Sequence, residues 1–367
     1  MFGKAKDRPP KKPMTMYQCT ITIIILLAVL MLIISRFSPL FCDLYARFVY
    51  GFFTAVFARI TSVIPFALGE LLLALVLIFL LLSLPLYFVI KKYNADFHPK
   101  LKNAYSKIFS LLFTFIIATG VFNCLIMYNC SPLTGKDASK SGYSQKTMDA
   151  TRQYIADNVN ALAEKVSRNN DGNMIFSCDA SETARSAVRA LGEKYPRLGG
   201  FCPKPKEVAD SFLMSQMGIT GVFSPFTLEA NYSGVILDSK KAFVMCHELA
   251  HVRGYMNEAE ANFIAFLACI NSDSVDFQYA GYLFALEQIN KSYDSVPVYA
   301  SAIYDYGKYY PDTYWSENAD KEFIPTEIVS EVSTKVNDTY LKVNGIESGV
   351  ANYSQVVGLI LDYFNSK

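Results

Sequence analysis

The sequence predicts a protein of two parts: a membrane region with three transmembrane helices, and a mainly α-helical (α+β) domain with a short β-hairpin or small sheet before its central helix. Two observations predict this division. Uncharged apolar stretches long enough to cross a ~30 Å hydrocarbon core occur within the first 129 of the 367 residues. Beyond them, apolar residues recur at helical spacing, and strand-forming residues between Gly, Pro and Asn occur near residue 230.

The membrane region is expected to begin after a short basic tail, residues 1–16, which has the composition of a disordered segment. No small-x-small cleavage site follows the first apolar stretch, so it is interpreted as an anchor rather than a signal peptide. The length and apolar composition of the stretches place three spans at about 17–37, 68–90 and 108–129.

The segment between the first two spans, about 41–62, has a different composition. It carries Asp43, Arg47 and Arg59, and the uncharged stretch between the two arginines is too short to cross a bilayer. The sequence therefore predicts an interfacial or re-entrant helix there.

Lysine placement predicts the orientation. The basic tail and the basic loop 91–107 lie on one side of the membrane if there are three spans, and short basic segments stay cytoplasmic. Residues 130–367 are then extracytoplasmic, with 130–145 as a linker and 146–367 as the folded domain. Residues 130–367 carry 21 Lys+Arg and 29 Asp+Glu, a net charge of −8, which argues against nucleic acid as a partner.

Within the domain, periodicity and turn residues predict several elements. Two short strands are expected over 218–232 and 235–237, joined by a turn at 231–234. Cys178 and Cys202 are candidates for a disulfide, although the five cysteines of residues 130–367 leave at least one unpaired. Helices are expected at 146–168, 181–195, 277–290, 296–309, 325–341 and 353–363.

The motif that indicates a function is His247-Glu248-Leu249-Ala250-His251. The sequence holds three histidines, and two of them stand four residues apart with a glutamate after the first, the HExxH arrangement of zinc peptidases. On a helix these histidines lie about 40° apart, so both imidazoles can reach one cation. Glu248 then lies beside a metal-bound water and can act as general base. The alternative interpretation is a buried structural histidine pair.

A catalytic zinc usually has three protein ligands, so a third is needed. On an unbroken helix Glu258 would lie about 10.5 Å along the axis from His251, too far to share an ion. Gly254 is therefore expected to end the helix in a left-handed conformation, and a second helix to begin near Asn257. Glu258 is the expected third ligand, with Glu260 as a reserve. Asn262 lies one helical turn after Glu258. Its side chain is expected to contact a metal ligand and fix its orientation without binding the metal itself.

The segment HELAHVRGYMNEAEANFIAF resembles the gluzincin class of zinc metallopeptidases, in which a glutamate on a following helix completes HExxH. Together with the preceding spans and the segment SPFTLEANY, it most resembles an uncharacterised bacterial membrane-protein family, domain-of-unknown-function family 3810. The resemblance implies a zincin-like fold and one Zn²⁺ ion. It also implies that His247, His251 and Glu258 are ligands and Glu248 is the general base.

These observations lead to a membrane-anchored zinc metallopeptidase that hydrolyses peptide bonds, whose partners are the bilayer and a peptide or protein substrate. By analogy with zincins, Phe226 to Tyr232 is expected to offer an exposed strand edge to substrate, with Phe226, Glu229 and Asn231 as candidate contacts. An ordinary core hairpin is the alternative. The rival function is a membrane sensor or scaffold with a structural zinc or an inactive site. An intramembrane protease is disfavoured because HELAH lies over 100 residues beyond the last span.

Overall fold

The computed structural model describes residues 13–93, 97–135, 143–170, 172–293 and 353–366, together with 331 and 335. Most of the basic tail, and the middle of the linker, lie outside the described residues. So do the expected helices at 296–309 and 325–341, apart from residues 331 and 335, which are helical.

The described part of the membrane region consists of helices joined by short connections. Helix α1 begins after the N-cap Thr15, whose side chain accepts a hydrogen bond from the Gln18 amide. The segments in order are α1 (Met16–Phe37), α2 (Pro39–Leu44), a π-helical turn (Tyr45–Tyr50), α3 (Gly51–Val63), α4 (Leu68–Tyr93), α5 (His98–Gly120), a second π-helical turn (Val121–Leu125) and a 3-10 turn (Met127–Asn129).

The number of candidate spans differs from the prediction. Among the described residues, four helical stretches are long and apolar enough to cross a membrane, where three were expected: Met16–Phe37, Pro39–Val63, Leu68–Tyr93 and His98–Asn129. The additional one includes the segment predicted to be interfacial. This stretch counts as a candidate span because α2, the π-helical turn and α3 form a continuous helix of 25 residues. Within it, an apolar run of 18 residues contains at most two charged residues.

The domain that follows contains helices close to the predicted ranges. Those expected at 146–168 and 181–195 end earlier than predicted, and the one expected at 277–290 begins two residues earlier. The helices are α6 (Gln145–Ala163), α7 (Ala180–Ala190), α8 (Ser211–Gln216), α9 (Asp238–Val252), α10 (Glu258–Ile270), α11 (Val275–Asn290) and α12 (Tyr353–Asn365).

A three-stranded sheet precedes α9, with the order β1-β3-β2. Strand β1 (Lys206–Val208) is parallel to β3 (Glu229–Ser233), and β2 (Gly221–Ser224) is antiparallel to β3. The predicted turn at 231–234 and the predicted strand at 235–237 are wrong. The hairpin turns at 225–228 instead, where Leu228 takes a positive φ of 55° and its amide donates to the Ser224 carbonyl at 2.8 Å.

Helix α9 lies at the centre of the domain. It contacts β3 and β2 on the sheet side and packs against α7, α10 and α11. Its residues Met245 and Leu249 are fully buried beside Phe266 and Ile264 of α10. The helix that carries the HExxH motif is therefore packed between the sheet and three other helices.

A second buried cluster joins the domain to the membrane helices. Tyr50 and Met127 pack in this cluster with Leu228 and Met256 of the domain. The Tyr50 hydroxyl donates to the carbonyl of Val252, the last residue of α9, at 3.0 Å. The membrane region thus contacts the end of the motif helix directly.

Candidate metal centre

Helix α9 presents both motif histidines on one face, as their spacing predicts. The Nε2 atoms of His247 and His251 lie 3.0 Å apart, and the two rings are perpendicular. His251 has little exposed surface, and His247 is partly exposed. Two imidazole nitrogens therefore point to one place at the edge of the core.

Helix α9 ends through the predicted left-handed glycine. Gly254 has a φ of +83°, its amide donates to the His251 carbonyl at 2.8 Å, and the Tyr255 amide donates to the Ala250 carbonyl at 3.1 Å. These two bonds form a Schellman motif, which satisfies the free carbonyls at the end of a helix. The chain therefore reverses at the position that the third ligand requires.

Helix α10 then begins beside the histidines. Its N-cap, Asn257, accepts hydrogen bonds from the amides of Ala259 and Glu260. Glu258, the first residue of α10, lies with Oε2 3.3 Å from Nε2 of His247 and with Oε1 3.6 Å from Nε2 of His251. One ligand atom from each of these three residues lies within 4.8 Å of the others, so the group could hold a metal ion.

Tyr255 and Asn262 also contact the two histidines. Nδ1 of His251 lies 2.7 Å from the Tyr255 carbonyl oxygen, so Nδ1 donates and Nε2 keeps a lone pair for a cation. The side-chain amide of Asn262 lies near His247 and favours its protonated form. Nδ1 of His247 nevertheless has no hydrogen-bond partner at normal distance among the described residues. Asn262 therefore lies close to His247, and its expected role in orienting a ligand stays a prediction.

The electrostatics of the group depend on Glu258. Burial opposes protonation of His247, but Glu258 outweighs it and raises the pKa of that imidazole. Burial lowers the pKa of His251 to about 4. Burial also disfavours the Glu258 carboxylate, yet the two histidines outweigh it and lower its pKa to about 2. Glu258 keeps 38% of its side-chain surface exposed, so the group opens to solvent on that side.

Glu248 is buried next to this group. Its side chain is 4% exposed, and its Oε2 atom has no hydrogen-bond partner in the part of the chain that the structure describes. Burial raises the pKa of its carboxyl group to about 8, against the effects of His247 and of the Phe223 backbone amide. A carboxyl group with this pKa can both take and release a proton near neutral pH.

Strand β2 makes room for Glu248. A Cβ atom on Gly221 would lie 2.5 Å from Oε1 of Glu248 and 2.5 Å from Cγ1 of Val244. The Phe223 ring, two residues along, lies 6.4 Å from the His251 ring. Sequence reasoning missed Gly221, and no local pattern marks it, because the requirement comes from the packing of a distant helix.

The other candidate residues lie apart from His247, His251 and Glu258. Glu260 faces the linker, where its Oε1 accepts the Leu133 amide at 2.5 Å, so the reserve ligand does not join the group. Glu229 is 1% exposed and is ion-paired with Lys206. Asn231 is 3% exposed, and Phe226 is 42% exposed.

The exposed strand edge also differs from the predicted one. Strand β3, which contains most of the predicted edge from 226 to 232, is paired on both sides. Strand β2 is paired with β3 alone within the described residues, so it is the edge strand on the side of Glu248. Phe226 lies in the turn after β2, beyond the strand itself.

The cysteines do not join the group. Cys178 and Cys202, the candidate disulfide, are both free, as are the other six. Cys246, next to His247, is buried with its sulfur 3.9 Å from that of Cys269. Cys246 therefore packs in the core.

A comparison with known families identifies the chain. The family described as "Protein of unknown function (DUF3810)" matches residues 45–361. The chain belongs to this family. The DUF3810 match begins at Tyr45 and extends into α12, so it includes the later membrane helices and the candidate metal centre. No curated protein and no solved structure was found to match the chain.

Proposed function

We propose that this DUF3810 protein is a membrane-anchored zinc metallopeptidase. The observation that carries the proposal is the spacing of the donor atoms of His247, His251 and Glu258. Zinc with ligands at 2.0–2.1 Å in a tetrahedron requires its donors to be about 3.3–3.4 Å apart. The two Nε2 atoms lie 3.0 Å apart, and the nearest Glu258 oxygens lie 3.3 Å from Nε2 of His247 (Oε2) and 3.6 Å from Nε2 of His251 (Oε1). Two histidines and one glutamate form a donor set used by catalytic zinc, and they leave a fourth position open.

The proposed reaction is hydrolysis of a peptide bond. A zinc ion bound here would lower the pKa of a water molecule and polarise the substrate carbonyl. Glu248 takes one proton from the attacking water, whose oxygen forms a bond with the carbonyl carbon. As the C–N bond breaks, Glu248 passes that proton to the leaving amine. Its burial next to His247 suits both steps. We also propose that the domain is related to the zincins.

Contacts at the helix ends support three membrane crossings. On the domain side, Asn129 donates to Ser35 near the end of α1 at 3.3 Å. On the same side, the amide of Gly69, at the start of α4, donates to Glu229 of β3 at 2.9 Å. At the opposite ends, the Tyr17 hydroxyl of α1 donates to the Lys107 carbonyl of α5 at 2.8 Å. Helices α1 and α5 therefore run toward the domain, and α4 runs away from it.

The same contacts support a position of the Pro39–Val63 stretch on one side of the bilayer. It begins at the end of α1 and ends at the start of α4, and both of these points lie against the domain. The amide of Ser131 donates to Asp43 at 3.0 Å, and the amide of Lys204 donates to Ser62 at 3.3 Å. A helix that contacts the domain at both ends, with exposed Phe48 and Phe52, suits the membrane interface.

The positions of the basic segments indicate on which side of the membrane the domain lies. The lysines of the predicted loop 91–107 lie at the end of α4 and the start of α5. With three crossings, they and the basic tail share one side, and basic segments stay in the cytoplasm. We therefore place the metal centre outside the cytoplasm. Labelling of single introduced cysteines in residues 97–107 and in α6 from outside the cell tests this: only those in α6 should react.

The function is tested with purified full-length protein. Zinc should be present at one ion per chain and lost in His247→Ala, whereas His98→Ala, which replaces the third histidine of the sequence, should keep it. With a peptide library and product detection by mass spectrometry, Glu248→Gln should keep zinc and lose cleavage. Zinc bound by wild type with no cleavage of any peptide, free or membrane-anchored, would favour the sensor or scaffold function.

A further inference from the structure

The metal centre rests directly on the membrane helices. A Cβ atom on Gly254, in the turn between the two metal-bearing helices, would lie 3.4 Å from the Tyr50 ring and 3.3 Å from Met127. Tyr50 precedes α4 in the chain and Met127 follows α5, and both residues are almost fully buried. No spacer separates the candidate active site from the membrane region.

Strand β2 extends from the metal centre to the apolar helices. At its start, Gly221 lies against Glu248. Just beyond its end, the Pro225 carbonyl accepts a hydrogen bond from the side chain of Asn123 at 2.7 Å, and the Phe226 ring lies 6.0 Å from the Phe115 ring of α5. Four residues of antiparallel strand cover about 14 Å.

The hairpin turn also contacts the start of α4. The position of a Cβ on Gly69 lies 2.8 Å from Oγ of Ser224 and 3.3 Å from Oγ1 of Thr227. The end of β2 is therefore fixed between α4 and α5, two helices long and apolar enough to cross a bilayer. One end of the strand is at the catalytic carboxylate and the other is at the membrane.

The free edge of β2 can pair with another chain. The Ser233 amide donates to the Thr220 carbonyl at 2.9 Å. Hydrogen-bonded residues alternate along an antiparallel pair, so the even-numbered residues of β2 bond with β3. Gly221 and Phe223 then direct their main-chain groups away from β3. The Phe223 amide hydrogen-bonds Glu248, which leaves the Gly221 amide and the carbonyls of both residues facing the open edge. An extended peptide added there gains main-chain hydrogen bonds. It would follow β2 from the metal centre toward the bilayer.

We propose that the substrates are polypeptides anchored in the same membrane, bound as an extended segment along β2 and cut a few residues from the bilayer surface. This inference rests on the proposed peptidase function. Anchoring raises the effective concentration of the segment at the site to the millimolar range, so β2 needs to provide little affinity of its own. The distance along β2 then acts as a ruler that fixes where the cut falls.

The test uses full-length, zinc-loaded protein in lipid nanodiscs, which leave both faces accessible. One substrate library carries a randomised stretch of about 12 residues, longer than the span of β2, joined to an apolar helix of about 20 residues. The anchor is placed at either end. The matched library has the same stretch as free peptides, with the apolar helix added as a separate peptide. Products are identified by mass spectrometry, and Glu248→Gln serves as the inactive control.

We expect the anchored library to be cut about 100-fold faster or more at equal concentration. The cuts should lie about 4–8 residues from the anchor. A Gly-Ser spacer of about 10 residues next to the anchor should move the cuts into the spacer. Equal cutting of both libraries, lost in Glu248→Gln, would overturn the inference and leave the peptidase function standing. No cutting of either library would overturn both.

Discussion

Gly221 of β2 lies so close to Glu248 of α9 that a methyl group on Gly221 would be 2.5 Å from the carboxylate oxygen Oε1. The strand that forms the sheet edge therefore also sets the position of the proposed general base. Gly221→Ala should displace Glu248 and lower cleavage by about tenfold or more, because small misplacements of a catalytic group have large effects on rate.

Zinc content should be unchanged in Gly221→Ala, since the three ligands lie on other elements. Val222→Ala is the matched control, because Val222 is in the same strand and its side chain is 44% exposed. Metal analysis and cleavage rates of the two variants check the prediction. It fails if both variants cleave at the wild-type rate.

Gly254→Ala should weaken zinc binding. The residue has a φ of +83°, where a side chain costs about 1 kcal/mol, and its neighbours Tyr50 and Met127 leave little room for a methyl group. The end of α9 should shift and move His251 relative to Glu258. Competition with a chelator measures the change in zinc affinity.

Gly172→Ala is the control for backbone strain. Gly172 has a similar φ of +79°, with nothing within 4 Å of its Cβ position. Both variants should lower the midpoint of thermal unfolding, and Gly254→Ala alone should lose zinc affinity. A loss of affinity in both would show that general destabilisation, and not the turn, is responsible.

Zinc binding should release the proton of Glu248. Burial raises the pKa of this carboxyl group to about 8, so at pH 6 the metal-free protein holds it protonated. A nearby divalent cation favours the carboxylate and lowers that pKa, so the proton leaves and zinc affinity rises with pH. Calorimetric titration at pH 6, in two buffers with different ionisation enthalpies, measures the protons released.

Wild type should release about one proton more than Glu248→Gln at this pH. The proton that leaves His247 is common to both proteins and cancels in the comparison. The same release from both would mean that Glu248 does not feel the cation, which contradicts its proposed role.

Glu229→Gln should destabilise the protein without affecting the metal centre. Glu229 is ion-paired with buried Lys206 and accepts the amides of Leu68 and Gly69, so it joins the sheet to the start of α4. Removing one partner of a buried ion pair costs about 3–5 kcal/mol. The midpoint of thermal unfolding should fall, while the zinc bound and the cleavage rate per folded chain should stay at wild-type values. A selective loss of cleavage would instead support the substrate contact predicted from sequence.

The grouping of His247, His251 and Glu258 was predictable because its geometry is local. The spacing of His247 and His251 places them on one helix face, and the distance to Glu258 requires a reversal that Gly254 is best able to make. Each step uses residues within about three helical turns of the next. The structure therefore brings together the three residues that the sequence selects.

The sheet was less predictable because long-range pairing determines it. Strand β1 has three residues and pairs with β3, whose partners lie 25 positions away, so no local pattern marks it. The turn of the hairpin uses Leu228 with a positive φ, a residue type that gives no turn signal. Gly234, which does resemble a turn signal, instead allows the close approach of the Glu207 side chain.

The central claim is that His247, His251 and Glu258 hold one zinc ion with an open fourth position. X-ray absorption at the zinc edge, on purified full-length protein, tests it most directly. We expect about four nitrogen or oxygen neighbours at about 2.0–2.1 Å, with the outer-shell signal of two imidazoles, and the loss of bound zinc in His251→Ala and Glu258→Ala. Sulfur neighbours at about 2.3 Å, or zinc retained by both variants, would contradict the claim.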